Sequence, residues 1–212
     1  MGDYPIAVVN LQSARCVVVG GGEVAARKVA GLQAAGARPV VISPALTQTL
    51  WQLAESGKIE TIQREYQPGD LAGARLVIAA TDDPQTNELV WQEAEAMGCL
   101  ANVVDDPARC NFHVPATIRR GALTISVSTG GSSPLLASRV RQALEQQFDA
   151  AYEPYLALLA DLRPVVREQT PDSARRKAIW EALLDSEILG LLRSNEPERA
   201  YQRAQTIIEK HS

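Results

Sequence analysis

The stretch VVVGGGEVAARKVAGL, residues 17–32, sets three consecutive glycines between a run of valines and a segment whose apolar residues Val24, Ala25, Val29 and Leu32 recur at helical spacing. The valine run reads as a strand buried on both faces, as in a parallel sheet covered on both sides. The glycines are therefore a strand-to-helix turn. Such a turn leaves the first N–H groups of the helix unpaired at the positive end of its dipole, and without side chains in the way a phosphate can reach them. Gly20, Gly22 and Ala25 match the spacing G-x-G-x-x-[GA], whose three positions serve a tight turn, close approach of a pyrophosphate and close helix packing. Glycines also occupy tight turns that bind nothing, so the context decides.

That context is an alternation of strands and helices: RCVVVG, a helix to about Ala35, RPVVIS, a helix through Trp51 and Leu53, LVIAAT, a helix around Leu89 to Met97, and CLANVV. KIETIQRE, before Tyr66, supplies one more strand. Alternation of this kind predicts an α/β fold, a Rossmann-type doubly wound parallel sheet that binds ligands at the carboxyl ends of its strands. Gly20–Gly22, Ser43, Thr81–Asp83 and Asn102–Asp106 fall there. The expected cofactor contacts are Gly20, Gly21, Gly22, Glu23, Val24, Ser43, Pro44, Thr81, Asp82 and Asn102. Thr81, Asp82 and Asn87 also read as a helix cap with its first turn, and the two roles are compatible. The acidic residue that usually binds the adenosine ribose about 20 residues beyond the glycines is missing, because that position reads VVISPAL. Ser43 can still bond a ribose hydroxyl, and nothing basic at this point suggests a 2′-phosphate, so the expected cofactor is NAD rather than NADP.

After Pro107 the pattern changes. NFHVPATIRRGALTISVSTGGSSP offers two short strands with a turn at Arg119–Gly121, then a second glycine-rich loop. Ser133 can cap the helix that follows, with Pro134 at its first position. Leu136, Val140, Leu144 and Phe148 lie on one face of that helix, and Pro154, Pro164 and Pro171 punctuate a largely helical remainder. The expected domains are residues 1–112 for the dinucleotide, 113–150 as a middle segment and 151–212 as a helical C-terminal part. The second half is too small and too helical for another nucleotide-binding domain, so its apolar faces need the first domain or another subunit to cover them. A net charge of −4 gives no support for broad binding to nucleic acid. Cys16, Cys99 and Cys110 are odd in number and lack metal-ligand spacing, which suits reduced thiols in the cytoplasm and no bound metal. No signal peptide opens the chain, and no apolar run approaches the roughly 20 residues of a membrane span.

The pieces YPIAVVNL, VVVGGGEVAARKV, AGARPVVISP, LVIAATDDPQTN, NVVDDPARCNFHVPA and ISVSTGGSSPLLASRVRQALE, spread over residues 4–145, carry a resemblance. Their order and spacing are similar to those of the precorrin-2 dehydrogenase family of sirohaem biosynthesis. The resemblance implies oxidation of precorrin-2 to sirohydrochlorin with NAD+ as hydride acceptor, in some members followed by Fe2+ insertion, carried out by a homodimer in which the middle segment, residues 113–150, is the dimerisation segment. It also implies that a separate enzyme makes precorrin-2, since the chain ends before the methyltransferase domain of the larger fused enzymes.

By the same resemblance the catalytic aspartate of the N-V-V-D segment corresponds to Asp105, which the sheet pattern independently sets at a strand's carboxyl end, facing the cleft. As a general base it takes the proton that the macrocycle loses. The alternative is a turn aspartate before Pro107, a role better suited to Asp106. His113 reads as a hydrogen-bonded, partly buried residue in preference to a ligand or base. The implied substrate has eight carboxylates, which makes Arg119, Arg120, Arg139 and Arg141 the candidate cations, with Ser128, Thr129 and Gly130 lining the same pocket or forming a plain turn. Two other readings stay open: an NAD-sensing regulatory module, and a ferrochelatase without dehydrogenase activity.

Overall fold

The valine run becomes the centre of a five-stranded parallel sheet in the computed structural model, which describes residues 4–211. Its strands are β1 (Arg15–Val19), β2 (Val40–Ile42), β3 (Glu60–Ile62), β4 (Ala74–Ala79) and β5 (Leu100–Val103), in the spatial order β3-β2-β1-β4-β5. The register sets Val18 between Val41 on one side and Ile78 on the other. The helices between them are α1 (Glu23–Gln33), α2 (Gln48–Glu55) and α3 (Pro84–Ala96).

Because side chains alternate along a strand, β1 feeds two cores. Cys16 and Val18 pack with Val29 and Leu32 of α1 and Leu50 of α2, whereas Val17 and Val19 pack with Val90 and Ala94 of α3 and with Tyr66 and Leu71. Each of these valines is at most 1% exposed, and such burial contributes about 1.5–3 kcal/mol per side chain. The chain winds outward from β1 to β3 and then crosses back to β4, so the sheet changes direction between β1 and β4. Ligands of this architecture bind at that switch point, outside the carboxyl ends of the strands.

The chain divides into two compact units at Val114/Pro115. The second begins with an antiparallel hairpin, β6 (Ala116–Arg120) and β7 (Leu123–Val127). Arg119 and Arg120, expected in the turn, are strand residues paired with Thr124 and Leu123, and the turn is Gly121–Ala122, with Gly121 at φ +55°. Helix α4 (Pro134–Gln147) starts as predicted, Ser133 Oγ accepting from Leu136 N at 3.2 Å. It is followed by α5 (Tyr152–Gln169), α6 (Ser173–Leu184), α7 (Ile188–Arg193) and α8 (Pro197–His211).

Two expectations are corrected here. Pro164 does not break the chain but lies inside α5, where Leu162 and Val166 on either side of it are buried and hold the helix together. The C-terminal helices also cover much of their own apolar surface, through a core of Tyr155, Leu162, Val166, Ile179, Leu183, Ile188, Ala200, Ala204, Ile207 and Ile208. Three large apolar residues stay exposed together at the start of α4, Leu135, Leu136 and Val140, while Leu144 and Phe148 of the expected face are half-buried; Val165, Leu184 and Tyr201 are exposed elsewhere in the second unit.

The glycines of the first unit divide sharply. A Cβ on Gly21 would lie 1.8 Å from the Ala45 carbonyl oxygen and 2.7 Å from Ser43 Oγ, whereas one on Gly31, in α1, would meet nothing within 4 Å. Gly21→Ala is therefore expected to lose about 3 kcal/mol by overpacking against backbone. Gly31→Ala should gain about 1 kcal/mol of helix propensity. Urea denaturation of both variants checks the opposite signs.

Candidate functional site

Three helices begin along the carboxyl edge of the sheet, and what caps each one decides what the edge can bind. At α2, Thr47 accepts from Leu50 N at 3.5 Å. At α3, Asp83 accepts from Gln85 N at 3.1 Å and Thr86 N at 3.0 Å and also from the Thr86 hydroxyl. These bonds hold the Asp83 carboxyl below its ordinary range. The cap of α1 is Gly22, which has no side chain to offer. Of the three, α1 alone presents its first N–H groups and dipole without a capping side chain.

Gly22 opens on a cleft of about 660 Å³ lined also by Gly20, Gly21, Glu23, Val24, Ser43, Pro44, Thr81 and Asp82, nine of the ten expected cofactor contacts. The three glycines have different duties. Gly20 sits at φ +117°, with its Cβ position 2.3 Å from the Ala80 carbonyl oxygen, so it makes the turn. Gly21 lets the backbone pass Ala45, and Thr47 N donates to Gly21 O at 2.9 Å. A Cβ on Gly22 would meet nothing within 4 Å, because that space is the cleft. Ala25, fully buried, provides the close helix packing. The Ser43 hydroxyl donates to Ala45 O at 2.7 Å, so it offers a ligand only its lone pairs. Thr81 Oγ1 donates to Asn87 Oδ1 at 2.8 Å, and Asn87 Nδ2 returns to Thr81 O at 3.0 Å, which frames the loop after β4.

The cleft contains no lysine or arginine, and its ionisable groups are the acids Glu23, Glu65, Asp82 and Asp83 together with Tyr66. An anion held there depends on peptide N–H groups and the α1 dipole. Besides the strand ends Val19, Ile42 and Ala80, sequence patterns missed Ala45, Leu46, Thr47, Glu65, Tyr66 and Thr86 in the lining, and set Asp83 at this edge without naming it a contact. The signal for Asp83 was available in Asp83-Pro84, a cap followed by proline at the first helical position. Glu65 and Tyr66 carry no motif. They are brought to the cleft by the loop after β3, which two carboxylates pin. Glu93 of α3 accepts from the Tyr66 hydroxyl and from Gly69 N at 2.9 Å and Leu71 N at 3.0 Å. Asp70 accepts both terminal nitrogens of Arg64, at 2.7 and 2.6 Å, and Gln67 N at 2.8 Å. Burial and the Glu93 bond push the Tyr66 phenol far up, and the Arg64 guanidinium holds the Asp70 carboxyl low.

Asn102, the tenth expected contact, is not in the lining. It is buried, and its amide donates to Phe112 O at 3.1 Å, fastening the end of the first unit to β5. Asp105 lies in the turn after β5, at the same sheet edge, exposed and left-handed at φ +61°. That conformation costs a non-glycine residue about 1–2 kcal/mol, and Asp and Asn tolerate it best. It is not among the residues lining the 660 Å³ cleft. Its carboxylate has no partner among the described residues. Asp106, expected as a solvated turn residue, is instead bound by Arg109, which also pairs with Glu88. His113, expected to be partly buried, is exposed. The described residues hold no cluster of three or more His, Cys, Asp or Glu that could bind a metal, and none of their helices is long and apolar enough to cross a membrane.

In the second unit Arg120 and Arg141 converge on Glu145, at 3.4 and 2.6 Å, and hold its carboxyl below the ordinary range. Arg120 also donates to Phe148 O at 3.0 Å. Arg120 thereby joins the hairpin to α4, whereas the Arg141–Glu145 pair lies within α4. Arg119 and Arg139 are exposed. Thr129 Oγ1 donates to Ser133 O and accepts from Ser133 N, both at 3.1 Å, and Gly130 N donates to Ser128 Oγ at 3.2 Å, so these hydroxyls shape their own loop.

Fold and cleft together define a dinucleotide-binding protein. Residues 7–116 match the family model described as "Putative NAD(P)-binding", and the chain belongs to that family. Behind it, residues 120–147 match "Sirohaem biosynthesis protein central" and residues 151–208 match "Sirohaem synthase dimerisation region". The siroheme synthase of Pseudomonas aeruginosa is 40% identical over 202 residues, which are 95% of this chain and 43% of the relative. That of Chromobacterium violaceum is 42% identical over 182 residues, 86% of this chain and 38% of the relative. The chain thus spans less than half the length of these curated relatives. Among solved structures, one described as SirC, precorrin-2 dehydrogenase, superposes with a TM-score of 0.75 at 24% identity, over 95% of this chain and 100% of that one, a likeness of fold.

Proposed function

We propose that the chain is a cytoplasmic, homodimeric precorrin-2 dehydrogenase that oxidises precorrin-2 to sirohydrochlorin with NAD+. The observation that carries this reading is the open start of α1: of three helix N-termini at one sheet edge, two are filled by side chains and one is capped by a glycine facing the cleft. The residues present fit a dinucleotide, since the N–H groups of Glu23 and Val24 are placed for a pyrophosphate and Ser43, Pro44, Thr81 and Asp82 border the same space. When bound, NAD+ supplies the hydride acceptor. The identity to siroheme synthases and the matches of residues 120–147 and 151–208 to sirohaem central and dimerisation models support the substrate.

What the protein must supply is a base for the proton lost as conjugation extends through the macrocycle. Asp105 and Asp106 are neighbours with different fates. Asp106 is occupied by Arg109, and the unpaired Asp105 carboxylate is the better acceptor. We assign the general base to Asp105. Among the arginines, the exposed Arg139 suits the substrate's carboxylates better than Arg120 and Arg141, which Glu145 holds. The dimer assignment is supported by the exposed Leu135, Leu136 and Val140 on α4 and by the match to a dimerisation region.

Three measurements test these assignments. Gly22→Asp is expected to abolish NAD+ binding in a folded protein, because the new side chain enters the cleft and puts a carboxylate where a phosphate would lie. Unchanged affinity by calorimetry overturns the cofactor assignment. Asp105→Asn keeps both size and tolerance of the left-handed turn, so it should fold and bind NAD+ normally while kcat for precorrin-2 oxidation falls about 10²–10⁴-fold. A wild-type kcat removes Asp105 from the mechanism. Asp106→Asn is no silent control, since it weakens the pair with Arg109. Leu136→Glu should convert the dimer to a monomer in sedimentation at micromolar concentration, and a dimer that survives it, or a monomeric wild type, disproves the α4 interface.

A further inference from the structure

The cleft lacks a carboxylate at the end of β2, where the adenosine ribose is usually held, because Ser43 and Pro44 stand there. The end of the adjoining strand supplies one. Glu65 follows β3 by three residues and lines the cleft, and it is the acid on that side, since Glu23 begins α1 and Asp82 and Asp83 follow β4. Its own carboxylate has no partner among the described residues, yet both of its neighbours are fixed. Arg64 is clamped by Asp70 through two bonds of 2.7 and 2.6 Å, and Tyr66 is buried and tied to Glu93. Arg64 Nη1 also donates to Glu65 O at 2.8 Å, which fixes the backbone of Glu65 itself.

We propose that Glu65 sets the cofactor preference of this cleft: the negative charge it carries beyond the end of β3 disfavours a dinucleotide with a 2′-phosphate, so the cleft takes NAD+ in preference to NADP+. The inference rests on the reading of the cleft as a dinucleotide site. The clamp on Arg64 serves the same end. A 2′-phosphate needs a cation beside it, and the arginine adjoining Glu65 already spends its planar fork on Asp70. With no lysine or arginine in the lining, nothing offsets repulsion between Glu65 and a doubly charged phosphate.

Calorimetric titration of the full chain with NAD+ and with NADP+ tests this, using the wild type, Glu65→Gln and Glu65→Arg, each checked for an unchanged circular dichroism spectrum. The wild type is expected to bind NAD+ the more tightly. Glu65→Gln, which removes only the charge, should narrow the NAD+ to NADP+ affinity ratio about tenfold, and Glu65→Arg should narrow it further or invert it. A wild type that binds both equally, or a ratio that moves less than about threefold in both variants, overturns the role of Glu65. If the wild type binds NAD+, Gly22→Asp abolishes that binding and the Glu65 variants leave the ratio alone, the cleft reading stands and this inference alone falls. If the wild type binds neither dinucleotide, both fall.

Discussion

At two points of the turn after β1 the backbone lies where another backbone would collide with any Cβ, and the arrangement of the cleft depends on those contacts. Gly20 lies against the Ala80 carbonyl and Gly21 against that of Ala45, while Gly20 N donates to Ile42 O at 2.9 Å and Thr47 N to Gly21 O at 2.9 Å. Through these contacts the ends of β1, β2 and β4 close on one another. The start of α1 is then delivered to the common edge with nothing in front of it. Gly22, the third glycine, meets no neighbour, so its lack of a side chain serves the cleft and not the packing.

The electrostatics of the two units follow from how their charges are spent. In the cleft of the first unit there is no cation, and the attraction available to an anion comes from unpaired peptide groups whose direction the fold fixes. Acids surround that opening and bias the site toward a ligand whose negative charge is confined to one place. Near the β5 end, Arg109 is held between Asp106 and Glu88 and leaves Asp105 as the unpaired carboxylate of its turn. In the second unit Glu145 engages Arg120 and Arg141, so of two cations that a bare sequence offers to a ligand one braces the hairpin against α4 and the other is paired along α4 itself.

Most of the first unit was legible because its signals are local. Valine runs, the helical spacing of Val29 and Leu32 and the G-x-G-x-x-A turn each depend on a few adjacent residues, and the sheet follows from their alternation. The misreadings came from position in space. Pro164 reads as punctuation, but buried neighbours on both sides carry α5 through it. Asn102 reads as a ligand contact because it follows a strand, yet its amide is engaged by Phe112 O. His113, with no pattern of its own, turned out to be exposed.

The sequence by itself determined the parallel α/β unit, the glycine turn with its helix, and the helical nature of the second half, since backbone preference and hydrophobic period act over a few residues at a time. Only the tertiary structure decided which polar groups remain available. Whether Thr47, Asp83 or Gly22 leaves a helix end open, whether Arg64, Arg109 or Arg120 is already paired, and whether Glu65 reaches a cleft formed around β1 depends on partners roughly 3 Å away in space and up to tens of residues away in the chain. A hydrogen bond is consumed by whichever group the fold brings within reach, and no local pattern records that.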